Sequence, residues 1–388
     1  MKKNLDIAIL NTMPFPSGAA SVNRILSYSK GLVELGNNVN VFSSAYGNDR
    51  LLHEINGIHY QALRVFSNSR FINIFSLFYA LLRFIRILTK SKNRFDVIIL
   101  VSNSLFLIYP LYLLSKLLGI KLIQEKSEFP FVLNNKTFFG KIFAYYYIHT
   151  TYRLFDGLII MTHNLEKYFK DKVKSGCRTI IVPMTVEPER FTNIPANNLG
   201  DYIAYCGDIG GNKDGVKNLI TSFSYISNEF PEVKLLLIGG SKDKNERVKL
   251  EEYVKKIDCR NVVFFGVVTR DEIPPLLSNA KILALARPSS LQSTGGFPTK
   301  LGEYLSTGKP VVVTKVGDIS LYLIDNINAY LVEPNDNQAF ANKLYHVLRN
   351  YDEALSVASR GKELVFDTFN YLVQAKRLQM FLHKVIEK

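Results

Sequence analysis

The sequence predicts an α/β chain built from two Rossmann-like halves. Three observations predict it. Short apolar runs alternate with helical stretches along the whole length, as in strands that cross over to parallel neighbours. A strand, glycine-containing loop and helix open the chain at residues 5–35, and the same unit restarts at residue 202. Between them the stretch PMTVEPERFTNIP, residues 183–195, carries three prolines and marks the best boundary in the chain. With 388 residues and 47% apolar content, two or three well-packed domains are expected.

Taken in order, MKKNLDIAILNTM has too short an apolar run and no small-residue cleavage site, so a first strand rather than a signal peptide is expected. A Pro/Gly/Ser loop over residues 13–20 leads to a helix over 21–35, which Gly36 ends, and to a strand over 39–42. Residues 70–94 interleave Phe71, Ile72, Ile74, Phe75, Phe78, Leu82 and Phe84 with Arg83, Arg86, Lys90, Lys92 and Arg94. No acid occurs between Glu54 and Asp96. Such a helix suits the interface of an anionic bilayer or, alternatively, a domain core with a solvated basic end.

Nineteen uncharged residues, 97–115, are long enough to span a membrane. Ser102-Asn103-Ser104 and Pro110 break the run, so a buried strand followed by a buried helix is expected instead. A strand over 121–123 delivers Glu125 and Glu128 to its carboxyl end, where open α/β sheets bind ligands. KTFFGKIFAYYYIHTTYR, residues 136–153, is again basic and aromatic, and suits bilayer or lipid-acceptor contact as well as core packing. Strands over 158–161 and 180–182 close the first half. In the second half, strands over 202–206, 234–238, 262–265, 282–286 and 329–332 alternate with helices, and a helical tail covers 370–387.

Charge divides unevenly. Residues 1–195 hold 24 Lys+Arg against 12 Asp+Glu, whereas the remainder holds 24 against 22. That asymmetry points to a polyanionic partner on the N-terminal half, and the greasiness of its basic segments favours an anionic membrane surface over nucleic acid. Cys177, Cys206 and Cys259 are odd in number and widely spaced, and the six histidines show no ligand spacing, so neither a disulfide frame nor a metal site is indicated. A cytoplasmic chain is expected, peripherally associated with the inner face of the membrane. A Walker loop, a G-x-S-x-G elbow and a D-x-D pair are all missing from the sequence.

The stretch ARPSSLQSTGGFPTKLGEYLSTGKPVVVT, residues 286–314, gathers the strongest chemistry. A strand end is followed by Gly295-Gly296, a helix begun near Pro298 or Thr299, a stop at Gly308 and a second strand. Lys300 and Glu303 lie three apart on one helix face. Backbone N–H groups at a helix start suit phosphate, and a carboxylate one turn inward suits a pair of sugar hydroxyls, the two halves of a nucleotide-diphosphate site. GGFPTKLGEYLSTGKPVVV resembles the donor segment of the retaining family 4 glycosyltransferases that build cell-surface polysaccharides. In that family's E-x7-E pattern the second Glu falls on Glu303, implying a grip on the nucleotide ribose, while the first falls on Gly295. The resemblance also implies that Lys213, within GDIGGNKDG, meets the donor diphosphate, although Asp208 stands where the family has a first basic residue. Arg287 at the preceding strand end is placed to supply the missing charge.

The resemblance implies the GT-B fold: two Rossmann-like domains facing across a cleft, with the last helix crossing back to the first. The expected domains are residues 1–190, residues 191–368 and a crossing helix at 369–388. The expected activity is metal-independent, retaining transfer of a sugar from a UDP- or GDP-linked donor to a saccharide or lipid-linked acceptor, with no cofactor. The alternatives are a non-catalytic nucleotide-sugar sensor or scaffold, and a nucleotide-sugar epimerase on the same fold. Glu303, Lys213 and Glu125 are the expected catalytic residues, Glu125 as the candidate base. The expected donor-binding residues are Glu303, Lys213, Gly207, Arg287, Gly295, Gly296, Lys300 and Leu301, together with Gly18 and Arg24, which match the family's first-domain loop in position. For Gly18 a simple strand-to-helix turn is the competing reading.

Overall fold

A computed structural model describes residues 4–18, 20–65, 70–90, 95–134, 137–241 and 243–387. Lys92, Arg94 and Lys136 lie outside the described residues, as do the side chains of Phe71, Ile72 and Ile74. The chain forms two compact units, Met1–Thr185 with Tyr371–Lys388, and Val186–Asn370. The units divide after residues 185 and 370, against the expected 190 and 368.

Unit 1 runs β1 (Asp6–Asn11), α1 (Ala20–Glu34), β2 (Asn38–Gly47), β3 (His53–Ile55), β4 (Ile58–Val65), α2 (Arg70–Lys90), β5 (Val97–Val101), α3 (Leu105–Leu118), β6 (Lys121–Lys126), α4 (Phe138–Tyr146), β7 (Gly157–Ile160), α5 (His163–Phe169) and β8 (Arg178–Ile181). Its sheet has the order β3-β4-β2-β1-β5-β6-β7-β8, parallel except for the β3-β4 hairpin. The strand order reverses between β1 and β5, the switch point at which such sheets open a crevice at their carboxyl ends. Fully buried Ile7, Ile9, Val39, Val41, Val97 and Ile99 form the centre of the sheet, which explains why these strands read as continuous apolar runs.

Unit 2 runs β9 (Tyr202–Cys206), α6 (Val216–Ser224), β10 (Lys234–Ile238), α7 (Lys244–Lys256), β11 (Val262–Gly266), α8 (Ile273–Ser278), β12 (Ile282–Leu285), α9 (Leu291–Gly295), α10 (Lys300–Ser306), β13 (Val311–Thr314), α11 (Ile319–Tyr322), β14 (Tyr330–Val332), α12 (Asn337–Arg349) and α13 (Tyr351–Leu364). Its six strands are all parallel, in the order β11-β10-β9-β12-β13-β14, and the reversal falls between β9 and β12. The last helix, α14 (Tyr371–Ile386), returns to unit 1 and packs on α1. Contact there is closest at Gly31, where an added Cβ would lie 3.1 Å from the Tyr371 carbonyl and run into the Ala375 methyl. Tyr371 fixes the start of α14 by donating its hydroxyl to Glu34 at 2.9 Å.

The uncharged stretch after Asp96 resolves into β5 and α3, and among the described residues no helix is long and apolar enough to cross a membrane. The sequence led us to expect α3 buried, but it is buried on one face only: Leu107, Ile108 and Leu111 are inside, while Phe106, Tyr109, Leu113 and Leu117 are exposed. Lacking charge, the segment showed no polar face by which its solvent side could be recognised. In α2, Ala80, Leu81, Phe84 and Leu88 are buried, while Phe75, Phe78, Tyr79 and Leu82 are exposed. In α4 only Ala144 is buried, and Phe138 and Phe139 are 73% and 82% exposed.

Candidate functional site

The carboxyl ends of β9 and β12, at the switch point of unit 2, hold the densest charge network in that unit. β9 ends at Cys206, and Gly207 starts the turn into α6 at φ +153, a conformation that favours glycine. A Cβ on Gly207 would lie 2.9 Å from both the Lys300 Cε and the Tyr205 hydroxyl, so the missing side chain is what lets Lys300 reach across the turn. The Lys300 ammonium donates to Asp214 Oδ2 and to the Tyr205 hydroxyl at 3.1 Å, and lies 4.6 Å from the centre of the Tyr205 ring. Arg287, arriving from the end of β12, is buried; its Nε lies 3.4 Å from Asp214 Oδ1 and donates to the Lys213 carbonyl at 3.3 Å. Tyr205 adds a third donor to Asp214 at 3.0 Å.

Asp214 is therefore the hub. Burial pushes its carboxyl up, but Lys300 and Arg287 outweigh this and hold it below the ordinary carboxylate range. Burial, with the Asp214 charge adding to it, raises the Tyr205 phenol well above its usual value, so Tyr205 acts as a neutral donor. Sequence reasoning missed Asp214 and Tyr205. The turn GNKDG contains Asp214 in plain view, but its partners lie far along the chain, Lys300 86 residues away.

Glu303 stands in the first turn of α10, on the same helix as Lys300. Arg190 donates to its carboxylate at 3.3 Å, and the other arm of Arg190 donates to the Arg270 carbonyl at 2.6 Å. Arg270 in turn pairs with Glu187 at 2.6 Å. Burial raises the Glu303 carboxyl despite the offsetting charges of Arg190, Arg270 and Lys300. A quarter of its side chain remains open.

Other expected residues are committed elsewhere. The glycine pair does not lead directly into α10: Gly295 ends the short helix α9, and the Gly296 N–H donates to the Gln292 carbonyl at 3.2 Å. Leu301 is fully buried and its N–H donates to the Pro298 carbonyl at 3.0 Å. In the β9–α6 turn the Gly210 N–H is taken by Asp208 at 2.9 Å and the Gly211 N–H by Glu246 at 3.1 Å. The side chain of Lys213 is exposed on that turn. The unit thus brings together Gly207, Arg287, Lys300, Glu303 and the Lys213 backbone, while the Gly296 and Leu301 amides face local carbonyls.

Unit 1 carries its own buried network at the carboxyl end of its sheet. Arg24 on α1 pairs with Glu125 on β6 at 2.9 Å, with both side chains almost fully enclosed, and also donates to the Val182 and Pro183 carbonyls. Ser127 donates to the same Glu125 oxygen at 2.7 Å. These two residues are thereby tied inward within unit 1. Gly18 lies in the β1–α1 loop at φ +145, and the nearest atom to a Cβ there would be the Pro14 carbonyl at 3.7 Å. Lys126, next to Glu125 but on the opposite face of β6, is buried, donates to Asn103, and is pushed down to about 8 by burial. The three cysteines are unbonded, and among the described residues no three His, Cys, Asp or Glu side chains gather to hold a metal.

Two parallel α/β units with this topology define the GT-B fold. The chain superposes on sucrose-phosphate synthase from Thermosynechococcus elongatus with a TM-score of 0.75 at 17% identity, over 99% of this chain and all of that one. It matches Anabaena HepE in complex with UDP-glucose equally well, at 0.75 and 15% identity over 98% of this chain and all of that one. Residues 200–350, which include Asp214, Arg287, Lys300 and Glu303, match the family described as glycosyl transferases group 1. Among curated proteins, the lipopolysaccharide 1,2-N-acetylglucosaminetransferase of Salmonella typhimurium is 23% identical over 239 residues, 58% of this chain. The chain spans 61% of that relative's length.

Proposed function

We propose that the chain is a retaining glycosyltransferase that moves a sugar from a UDP- or GDP-linked donor to a saccharide or lipid-linked acceptor in cell-surface polysaccharide synthesis. The observation that carries this reading is the convergence of Lys300, Arg287 and Glu303 on one switch point, inside the stretch matched by group 1 glycosyl transferases. In this reading Glu303 accepts hydrogen bonds from the ribose hydroxyls, replacing its long 3.3 Å contact with Arg190. Lys300, Arg287 and Lys213 face the diphosphate and stabilise it as it leaves, which is how fixed charge assists a developing anion without a metal. Support for a nucleotide-sugar donor comes from HepE, solved with UDP-glucose, and support for a polysaccharide acceptor from the lipopolysaccharide transferase.

The exposed aromatic residues of α2, α3 and α4, together with the basic excess of residues 1–195, support a peripheral seat on the inner face of an anionic membrane. The test is a thermal-shift panel of nucleoside diphosphates and nucleotide sugars, followed by transfer from the labelled donor that stabilises most. Binding of no nucleotide would remove the reading. Binding without transfer or hydrolysis would favour the sensor, a reading to which Asp208 and Glu246 lend weight by occupying two amides of the glycine turn.

A further inference from the structure

At the amino-terminal edge of the unit 1 sheet lies an open recess of about 170 Å³, lined by Lys121, Asp156, Lys174, Ser175, Gly176 and Arg178 and closed on one side by Val385 of α14. Lys121 opens β6, Arg178 opens β8, and Asp156 immediately precedes β7, so the rigid strand ends fix all three. Lys116, from the last turn of α3, joins them. Asp156 is the acid of the cluster and it is saturated. Its Oδ1 accepts from Lys174 at 2.7 Å and Lys116 at 3.1 Å, and its Oδ2 accepts the Leu122 N–H at 3.0 Å. Among the described residues neither Lys121 nor Arg178 has an acidic partner, which leaves four cations around one carboxylate. Like charges held this close repel one another, and a phosphate group, with a charge of about −1.5 to −2, would offset that repulsion.

We infer that this recess is a binding site for a phosphate monoester or diester, separate from the site in unit 2. Arg178 supplies the fork that suits phosphate oxygens, and Lys121 and Lys174 supply point charges. Beside the recess the α3 surface continues as Leu113 and Leu117, 62% and 83% exposed, so a phosphate carried on an acyl chain would find apolar contact next to the charges.

The experiment follows the amide resonances of residues 174–178 in the full chain while inorganic phosphate, glycerol 3-phosphate or dihexanoyl phosphatidic acid below its micelle concentration is added. Reading these amides keeps the result independent of phosphate bound in unit 2. Wild type should shift and saturate with at least one of the three, and Lys121→Gln with Arg178→Gln should weaken that binding about tenfold, the discounted worth of two partly exposed charge contacts. Because neither residue is paired in the fold, the double variant should melt with the wild type. Tighter binding of the short-chain lipid than of glycerol 3-phosphate identifies a headgroup, and equal binding identifies a soluble monoester; both uphold the site. Failure of all three to shift these amides in the tens-of-millimolar range, or an unchanged affinity in the double variant, overturns it.

Discussion

Replacing Asp214 with Asn should destabilise unit 2 by about 3–5 kcal/mol, the cost of breaking a buried ion pair from one side. The size follows from what is left behind. Lys300 and Arg287 have side chains only 14% and 2% exposed, so neither regains solvent when the negative charge is removed. For a unit of 185 residues, Val186–Asn370, each kcal/mol moves the melting temperature by about 2–4 °C, so the unit 2 transition should fall by about 6–20 °C. Scanning calorimetry measures this. The pH dependence gives a second check. Asp214 titrates below its unfolded value of 3.8, so its stabilisation is fully present above that pH and is lost as the pH falls through the lower folded value. The gap between wild type and variant should therefore stay constant from neutral pH to about 5 and close below about 4. A variant that melts within about 1 kcal/mol of wild type at pH 7 would refute the claim that Asp214 holds the two cations.

Three further expectations follow from the same networks. In the proposed reading, Glu303→Gln should cut sugar transfer by about tenfold to a hundredfold through loss of charged hydrogen bonds to the donor, yet should not lower the melting temperature at pH 7.5. Burial raises the Glu303 carboxyl, so ionising it opposes folding above that raised value, and a melting temperature well below wild type would contradict this. In unit 1, Arg24→Met alone should cost about 3–5 kcal/mol, and Arg24→Met with Glu125→Gln much less than the two single changes summed; additive urea midpoints would sink the buried pair. Phe138→Ser with Phe139→Ser should leave stability unchanged, since both rings are exposed, but on the proposed membrane seat should weaken retention on anionic vesicles about a hundredfold, and equal retention in a flotation assay would remove α4 from that proposal.

Sequence periodicity revealed most of the strands because both sheets bury them as uninterrupted apolar runs, Ile7 to Leu10 and Leu235 to Ile238 among them. It missed the β3-β4 hairpin, whose signal was local and short: Asn56-Gly57, with φ of +52 and +73, is the dipeptide that tight hairpins favour. Helix α9 was missed for a different reason. SSLQSTGG reads as loop, and the helix exists because Ser290 and Ser293 cap it reciprocally, the Ser293 N–H donating to Ser290 at 3.1 Å and the Ser290 N–H to Ser293 at 2.8 Å. In the site, Lys300 and Glu303 were legible because their spacing is intrahelical. The Arg190–Glu303 and Asp214–Lys300 contacts join residues far apart in sequence, and no local pattern encodes them.

One departure from the family motif, Asp208, takes on sense once the charges are placed. Asp208 stands where a cation was expected, and with Glu246 it occupies the amides of Gly210 and Gly211, so carboxylates take these two N–H groups of the glycine turn. Positive charge is concentrated instead on the neighbouring wall, where Arg287 comes from β12 and Lys300 from α10, both leaning on Asp214. In the proposed reading the donor diphosphate is therefore met from the β12 and α10 side. A nucleotide approaching Lys300 competes with Asp214 for the same ammonium. Donor affinity should accordingly depend on how readily that pair opens, and Asp214→Asn, although less stable, should gain more melting temperature from a saturating nucleoside diphosphate than wild type does. A smaller gain in the variant would mean that Lys300 and Arg287 serve the fold of unit 2 and do not meet the ligand.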